Sequence, residues 1–245
     1  ERAIAFANND RPGVMLMSAV RGYLARYGVL AGRTAVLFAN NDSAYAAARE
    51  LTAAGLRVEA VVDSRKDESP AAAQARAEGL HVLLGHAVVG ARGMRGVRAA
   101  EVAAIDAKGA VSGAVRVLAC DLIAVSGGWN PAVHLHAQSR GSLLFREDLA
   151  AFVPNTEGAP YRSVGAAAGV YDLGECLRQG MAVGADAARA LGFEAAAEPK
   201  TPDATVDPVG DVPALWAVKS GTRAKAFVDL QNDVTVADVA LAQRE

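Results

Sequence analysis

The apolar positions of this chain change period several times, and each change marks an element. Arg33 to Ala39 (RTAVLFA) is a nearly continuous apolar run, the pattern of a parallel strand buried on both faces. Ser43 to Ala54 follows at helical spacing, with Asp42 or Ser43 as N-cap and Gly55 as the stop. Arg57 to Val62 is the next strand, closed by Asp63. Pro70 opens a helix that runs to about Glu78 and ends at Gly79, and His81 to Gly85 is a third strand. Strand, helix, strand, helix, strand is the unit of a doubly wound sheet, so this stretch predicts a Rossmann-like parallel α/β domain. Ahead of it, Val14, Met17, Val20 and Leu24 stand at helical spacing, which predicts one helix over residues 13–29.

The texture then alternates. Val97 to Ile105 and Ala110 to Leu118 are β-rich runs around the turn Asp106-Ala107-Lys108-Gly109, and they predict a three-stranded antiparallel excursion. Asp121 to Ser126 returns as a parallel strand and runs into Gly127-Gly128-Trp129-Asn130-Pro131. Residues 132–160 read as irregular with short strands, Ser163 to Ala166 as a last buried strand, and Asp172 to Leu191 as a long helix. On that helix Gly180 and Gly184 share a face, which predicts close packing on a sheet. Residues 195–213 hold four of the nine prolines and read as a linker or surface strap. Asn232-Asp233 reads as a polar turn, and Thr235 to Gln243 as a short capped helix.

Composition narrows the function classes. At 245 residues and 52% hydrophobic content the chain can build one large core or two smaller ones. A net charge of -2 gives no field to draw in nucleic acid or an anionic membrane. No apolar run approaches the roughly 18 to 20 residues of a membrane span. The start, Glu1-Arg2-Ala3-Ile4, has neither an initiator Met nor a signal-peptide apolar region, and both ends read as the middle of a longer, cytoplasmic protein. Cys120 and Cys176 fit no zinc or CxxC spacing and read as cytosolic thiols, with a disulfide as the alternative. His134 and His136 would share a face on a strand; they, His81 and His86 read as structural residues rather than metal ligands or acid-base groups. No Ser-His-Asp or Cys-His set is visible, so no catalytic residue and no metal site is assigned.

The candidate chemistry centres on the stretch FANND, which occurs at Phe6 to Asp10 and again at Phe38 to Asp42. The second copy stands where a G-x-G-x-x-G dinucleotide turn belongs, with Ala39, Asn41 and Ala44 at the glycine places. Ala44 suits close helix packing. Asn41 fills the space a phosphate needs, and Asp42 adds a carboxylate there; two like charges about 4 Å apart cost several kcal/mol at a surface-like dielectric. Asp63 keeps the place of the ribose-binding acid. Asn41, Ser43 and Asp63 are thus the candidate cofactor residues of this lobe, either as an altered nucleotide site or, favoured by the charges, as a scaffold whose turn is refilled by polar side chains. Trp129 reads as a packing lid rather than a cofactor stack. Arg11 and Arg65 read as solvated surface arginines rather than phosphate partners.

The order of these motifs resembles the two-dinucleotide-domain flavoproteins related to thioredoxin reductase: a PGV segment and helix, an inserted βαβ domain, G-W-N-P, then V-G-A-A-A-G before a glycine-bearing helix. The resemblance implies a Rossmann-like domain with an antiparallel β-excursion, inserted in part of an FAD/NAD(P)-binding-like domain. The divisions would be 1–30 (FAD-like part and crossover), 31–128 (inserted NAD-binding-like domain), 129–192 (return into the FAD-like domain) and 193–245 (linker and start of a further domain). In that family a Gly-Asp pair binds the flavin; Gly165 matches the Gly, and Ala166 stands in place of the Asp. FANNDRPGVML, LFANNDSAYAAA, CDLIAVSGGWNPAVHL and AFVDLQNDVTVADV more specifically resemble the alpha subunits of heterotetrameric sarcosine oxidases, with opine oxidase, hydrogen cyanide synthase and dye-linked proline dehydrogenase alpha subunits as near alternatives.

This implies oxidative demethylation of sarcosine to glycine, formaldehyde and hydrogen peroxide, with FAD in a beta subunit, FMN at the alpha–beta interface, and gamma and delta subunits as further partners. It also implies a tightly held NAD in the FAD-like domain, for which this chain could contribute Gly127, Gly128, Gly165 and Ala166 as part of a wall. Two other readings stand beside it: a non-catalytic scaffold that positions neighbouring subunits, and a working pyridine nucleotide reductase, from which no activity is expected.

Overall fold

A computed structural model describes residues 1–106, 108–158, 161–193, 204 and 212–245. The chain divides into two compact units, Glu1–Gly128 with Val212–Glu245, and Trp129–Asp211. Most of the predicted strap, residues 195–213, lies outside the described residues.

In the first unit the chain forms β1 (Val14–Leu16), α1 (Met17–Tyr27), β2 (Thr34–Ala39), α2 (Ser43–Ala53), β3 (Arg57–Asp63), α3 (Pro70–Ala77) and β4 (Val82–Leu84). It continues with β5 (His86–Arg92), β6 (Ala99–Ala104), β7 (Arg116–Ala119) and β8 (Leu122–Ser126). The parallel sheet has the order β1-β8-β2-β3-β4, and β5-β6-β7 form the antiparallel excursion. Residues 13–29 are not one helix, because Val14 to Leu16 pair in parallel with Ile123 to Val125 before the helix starts. Helical spacing cannot reveal a three-residue edge strand whose partner is a hundred residues away.

Alternation along the central strands separates two cores. Val36, Phe38, Ala60, Val62, Ile123 and Val125 point into one, shared with the antiparallel sheet. Ala35, Leu37, Ala39, Val61, Leu122 and Ala124 point into the other, under α1, α2 and α3. The unit is therefore three layers, helices, parallel sheet and antiparallel sheet, and each fully buried Leu, Val, Ile or Phe stabilises it by about 1.5–3 kcal/mol.

The second unit contains α4 (His134–Gln138), the ribbon β9 (Leu143–Arg146) with β10 (Ala151–Pro154), and α5 (Leu173–Ala190). Gly165–Ala168 form a 3-10 turn, not the predicted strand. Gly165 has φ +62°, a backbone no strand accepts. His134 and His136 sit on α4 and so do not share a strand face. An added Cβ at Gly180 or Gly184 would meet nothing within 4 Å, so among the described residues no element packs on that face of α5. After Val212 the chain rejoins the first unit and ends in β11 (Phe227–Asp229), β12 (Val234–Thr235) and α6 (Val236–Ala242). Among the described residues no helix is long and apolar enough to cross a membrane.

Candidate functional site

The sheet order reverses between β2 and β8, and an open α/β sheet binds its ligands outside the carboxyl ends of the strands at that point. Register brings Ala39 level with Asp63 on one side and with Ser126 on the other. The turn Asn40-Asn41-Asp42, the end of β3 and the Ser126-Gly127-Gly128 exit thus meet at one edge.

Asn41 bridges the switch point. Fully buried, it donates through Nδ2 to Ser126 O at 3.2 Å and Ser126 Oγ at 3.1 Å. Its Oδ1 accepts from Ser43 N at 3.2 Å and Ser43 Oγ at 2.5 Å. Asn41 is therefore the residue that satisfies the first free amide of α2. Asp42, at the N-cap position, makes no capping bond. Asn40 N–H donates to Ser126 O at 3.4 Å. Phosphate on a helix start needs such amides free.

Asp42 turns toward α3 instead. Its Oδ1 accepts from Arg65 Nη2 at 2.5 Å and from Ser69 Oγ at 2.7 Å. Arg65 also reaches Asp63, Nη2 to Oδ2 at 2.7 Å, and its own amide donates to Asp63 Oδ1 at 2.9 Å. Tyr45 OH donates to Asp63 Oδ2 at 2.7 Å. The expected solvated Arg65 is in fact a buried member of an ion-paired triad, with side-chain exposures of 12% for Arg65, 9% for Asp42 and 1% for Asp63. Burial lowers the Arg65 pKa, but hydrogen bonding and charge from Asp63, then Asp42, outweigh it and raise it above the ordinary value. Burial, followed by the Asp63 charge, pushes the Tyr45 phenol far above its ordinary range. The charge objection to a phosphate changes accordingly: Arg65 answers Asp42, and what fills the turn is side-chain volume.

Both oxygens of Asp63 are engaged. The sequence carried a hint, since an acid in the turn after β2 and another at the end of β3 need a cation between them, and Arg65 lies two residues after Asp63. Arg11, also expected to be solvated, donates to Ala91 O at 3.1 Å and to Gly93 O.

The glycines have local explanations. A Cβ on Gly127 would stand 3.0 Å from Ala3 O and Ile4 Cγ1, and one on Gly128 would stand 2.8 Å from Val212 Cγ1. Gly165 and Ala166 lie in the other unit. There Gly165 N donates to Gln179 Oε1 at 3.0 Å, and Ala166 is exposed. Trp129 packs on Tyr171 at 6.4 Å between centroids. His136 is buried, with Nε2 2.6 Å from Ser142 O and its ring edge-to-face with Tyr161. Among the described residues no group of three His, Cys, Asp or Glu side chains is arranged to hold a metal.

No family model matches the chain. Curated relatives do. It is 42% identical over 249 residues to sarcosine oxidase subunit alpha of Corynebacterium sp. (strain P-1), covering 99% of this chain and 25% of that protein. It is 44% identical to the Corynebacterium sp. (strain U-96) subunit and 38% identical to that of Rhizobium meliloti (strain 1021). The chain thus spans about a quarter of the length of these relatives, and the resemblance read in its motifs extends over nearly all of it. Among solved structures, L-proline dehydrogenase from P. horikoshii shares the fold over 80% of this chain and 34% of its own, at a TM-score of 0.55 and 18% identity.

Proposed function

We propose, from this kinship to sarcosine oxidase alpha subunits, that the chain is the nucleotide-domain region of such a subunit and acts in oxidative demethylation of sarcosine. The supporting observation is identity of 38% or more sustained over the whole stretch. In this reading residues 31–128 are an inserted, degenerate NAD-binding-like domain and residues 129–192 return to an FAD-like domain. The parent complex supplies FAD and FMN with its other subunits, and it works in the cytoplasm.

The residues present bear on the cofactor. At the switch point the Asn41 side chain fills the turn and takes the Ser43 amide, and Arg65 engages both Asp42 and Asp63, so that crevice fits NAD poorly. The NAD of the full subunit is assigned instead to the FAD-like domain, with Gly165 and Ala166 in its wall; an alanine in place of the flavin-binding acid suits a ligand other than FAD. The chain contributes framework and no catalytic side chain.

The test uses the full-length parent subunit and its complex. Sarcosine-dependent release of hydrogen peroxide and formaldehyde, with NAD in a denaturing extract, is the expected result. Turnover of proline or an opine but not sarcosine would reassign the substrate. A nucleotide-free extract from folded subunit would overturn the NAD assignment.

A further inference from the structure

The crevice between β2 and β8 already has an occupant, the chain itself. Asn40, fully buried at the end of β2, donates through Nδ2 to Pro213 O at 2.8 Å. On the β8 side Val212, also buried, lies against Gly128, where even a Cβ would be 2.8 Å from it. Residues 212 and 213 therefore lie across the carboxyl ends of both strands flanking the switch point. The segment then continues along the amino-terminal strip. Ala5 N donates to Trp216 O at 2.9 Å, and Val218 N donates to Ala5 O at 2.8 Å. The Arg2 guanidinium stands 4.7 Å from the Trp216 ring centroid, a cation–π contact.

We propose that this crevice is a docking cleft for the return segment 212–219, so that the lobe recognises a peptide of its own chain where its architecture would take a dinucleotide. The chemistry matches a peptide. Pro213 has a backbone carbonyl and no N–H of its own, and the Asn40 side-chain amide satisfies that carbonyl. A valine side chain fills the space that Gly128 keeps open. Departure from the first unit at Gly128 and return at Val212 are thereby pinned side by side. The inference rests on the first unit alone and does not depend on the proposed reaction.

Hydrogen exchange followed by mass spectrometry on the chain tests it, with and without millimolar NADH or NADPH. Peptides carrying the Ala5 and Val218 amides should exchange slowly, and neither nucleotide should alter exchange at 39–43. Asn40→Ala should raise exchange across 212–219 by about tenfold, the effect of losing one buried hydrogen bond, with β2 and β8 unchanged. Should that variant not fold, Trp216→Ala loosens the same segment from the surface and should raise the same peptide by a smaller factor. Nucleotide-induced protection at 39–43 accompanied by release of 212–219 would overturn the proposal. So would unprotected exchange of 212–219 in the unaltered chain, or no response of that peptide to either folded variant.

Discussion

Asp63 ends β3 and Asp42 stands at the start of α2, and Arg65 bridges the two carboxylates in a closed place. Arg65→Ala leaves two buried carboxylates facing each other, and breaking a buried pair in this way costs about 3–5 kcal/mol. Urea unfolding should show that loss as a lower midpoint at unchanged slope. Arg65→Lys should recover only part of it, because an ammonium cannot fork to two carboxylates. A second prediction concerns Cys120, which burial pushes up to about 11, ahead of smaller opposing contributions from backbone hydrogen bonds. Its thiol stays protonated and enclosed at neutral pH, so a disulfide reagent should label it only after denaturation, whereas half-buried Cys176 should label in the native chain. The two FANND copies also explain each other at this scale. Phe6 and Phe38 pack edge-to-face at 6.1 Å. The Asn9 side chain exchanges two hydrogen bonds with the Phe227 backbone, Nδ2 to O and N to Oδ1, each at 2.8 Å. Asn40 holds Pro213 in the second copy. Asn9 and Asn40 thus stitch distant backbone together, and no local sequence pattern reveals a partner 173 residues on.

At the scale of the element, the starts at Pro70 and Thr235 were legible, whereas the cap expected at Asp42 makes no side-chain bond. Ser69 precedes Pro70 at the first turn of α3 and accepts from Ala72 N at 3.2 Å. The same hydroxyl donates to Asp42, so it ties the helix start to the triad. Ser69→Ala should cost about 1–2 kcal/mol, the upper part of the range for a lost cap, and chemical denaturation measures it. The predicted cap at Thr235 is a full capping box, with Asp238 Oδ2 accepting from Thr235 N at 2.8 Å and Thr235 Oγ1 at 2.6 Å. Those bonds, the side-chain one first, hold the Asp238 carboxyl below its ordinary pKa. A depressed folded-state pKa means that the helix-stabilising effect is present above the ordinary carboxylate range and is lost as pH falls through the folded value. Carbon-detected NMR titration should show Asp238 protonating after the exposed, unbonded acids, with α6 amides losing protection as it does. The long buried strands were equally readable because a continuous apolar run has few alternatives. Three-residue β1, the strand β5 and the 3-10 turn at Gly165 were not, since pairing or a positive φ decided them.

On the scale of the whole molecule, the two units differ in how much they bury. In the first, five of the six residues of β2 are buried. In the second, the buried hydrophobic side chains among the described residues are Ala150, Ala151 and Val153. The 18-residue helix α5 has no buried residue, and Leu144, Phe145 and Phe152 on the β9–β10 ribbon are exposed. Beyond its own backbone bonds, the helix is tied to the rest of its unit, among the described residues, by little more than Gln179 to Gly165 and Cys176 to Val170 O, and a helix with so little burial is marginal in water. Opening it therefore requires little free energy, whereas β2 and β8 open only with global unfolding. Amide exchange on the chain should consequently place α5 orders of magnitude faster than β2, β3 and β8. The relatives this chain matches are about four times as long. In the longer subunit to which this chain is proposed to belong, the same α5 amides should slow toward the rate of the central strands, while those of β2 change little. Equal α5 exchange in the two settings would mean that the helix face stays open to water in the parent as well, and that the second unit is not completed by the rest of the subunit.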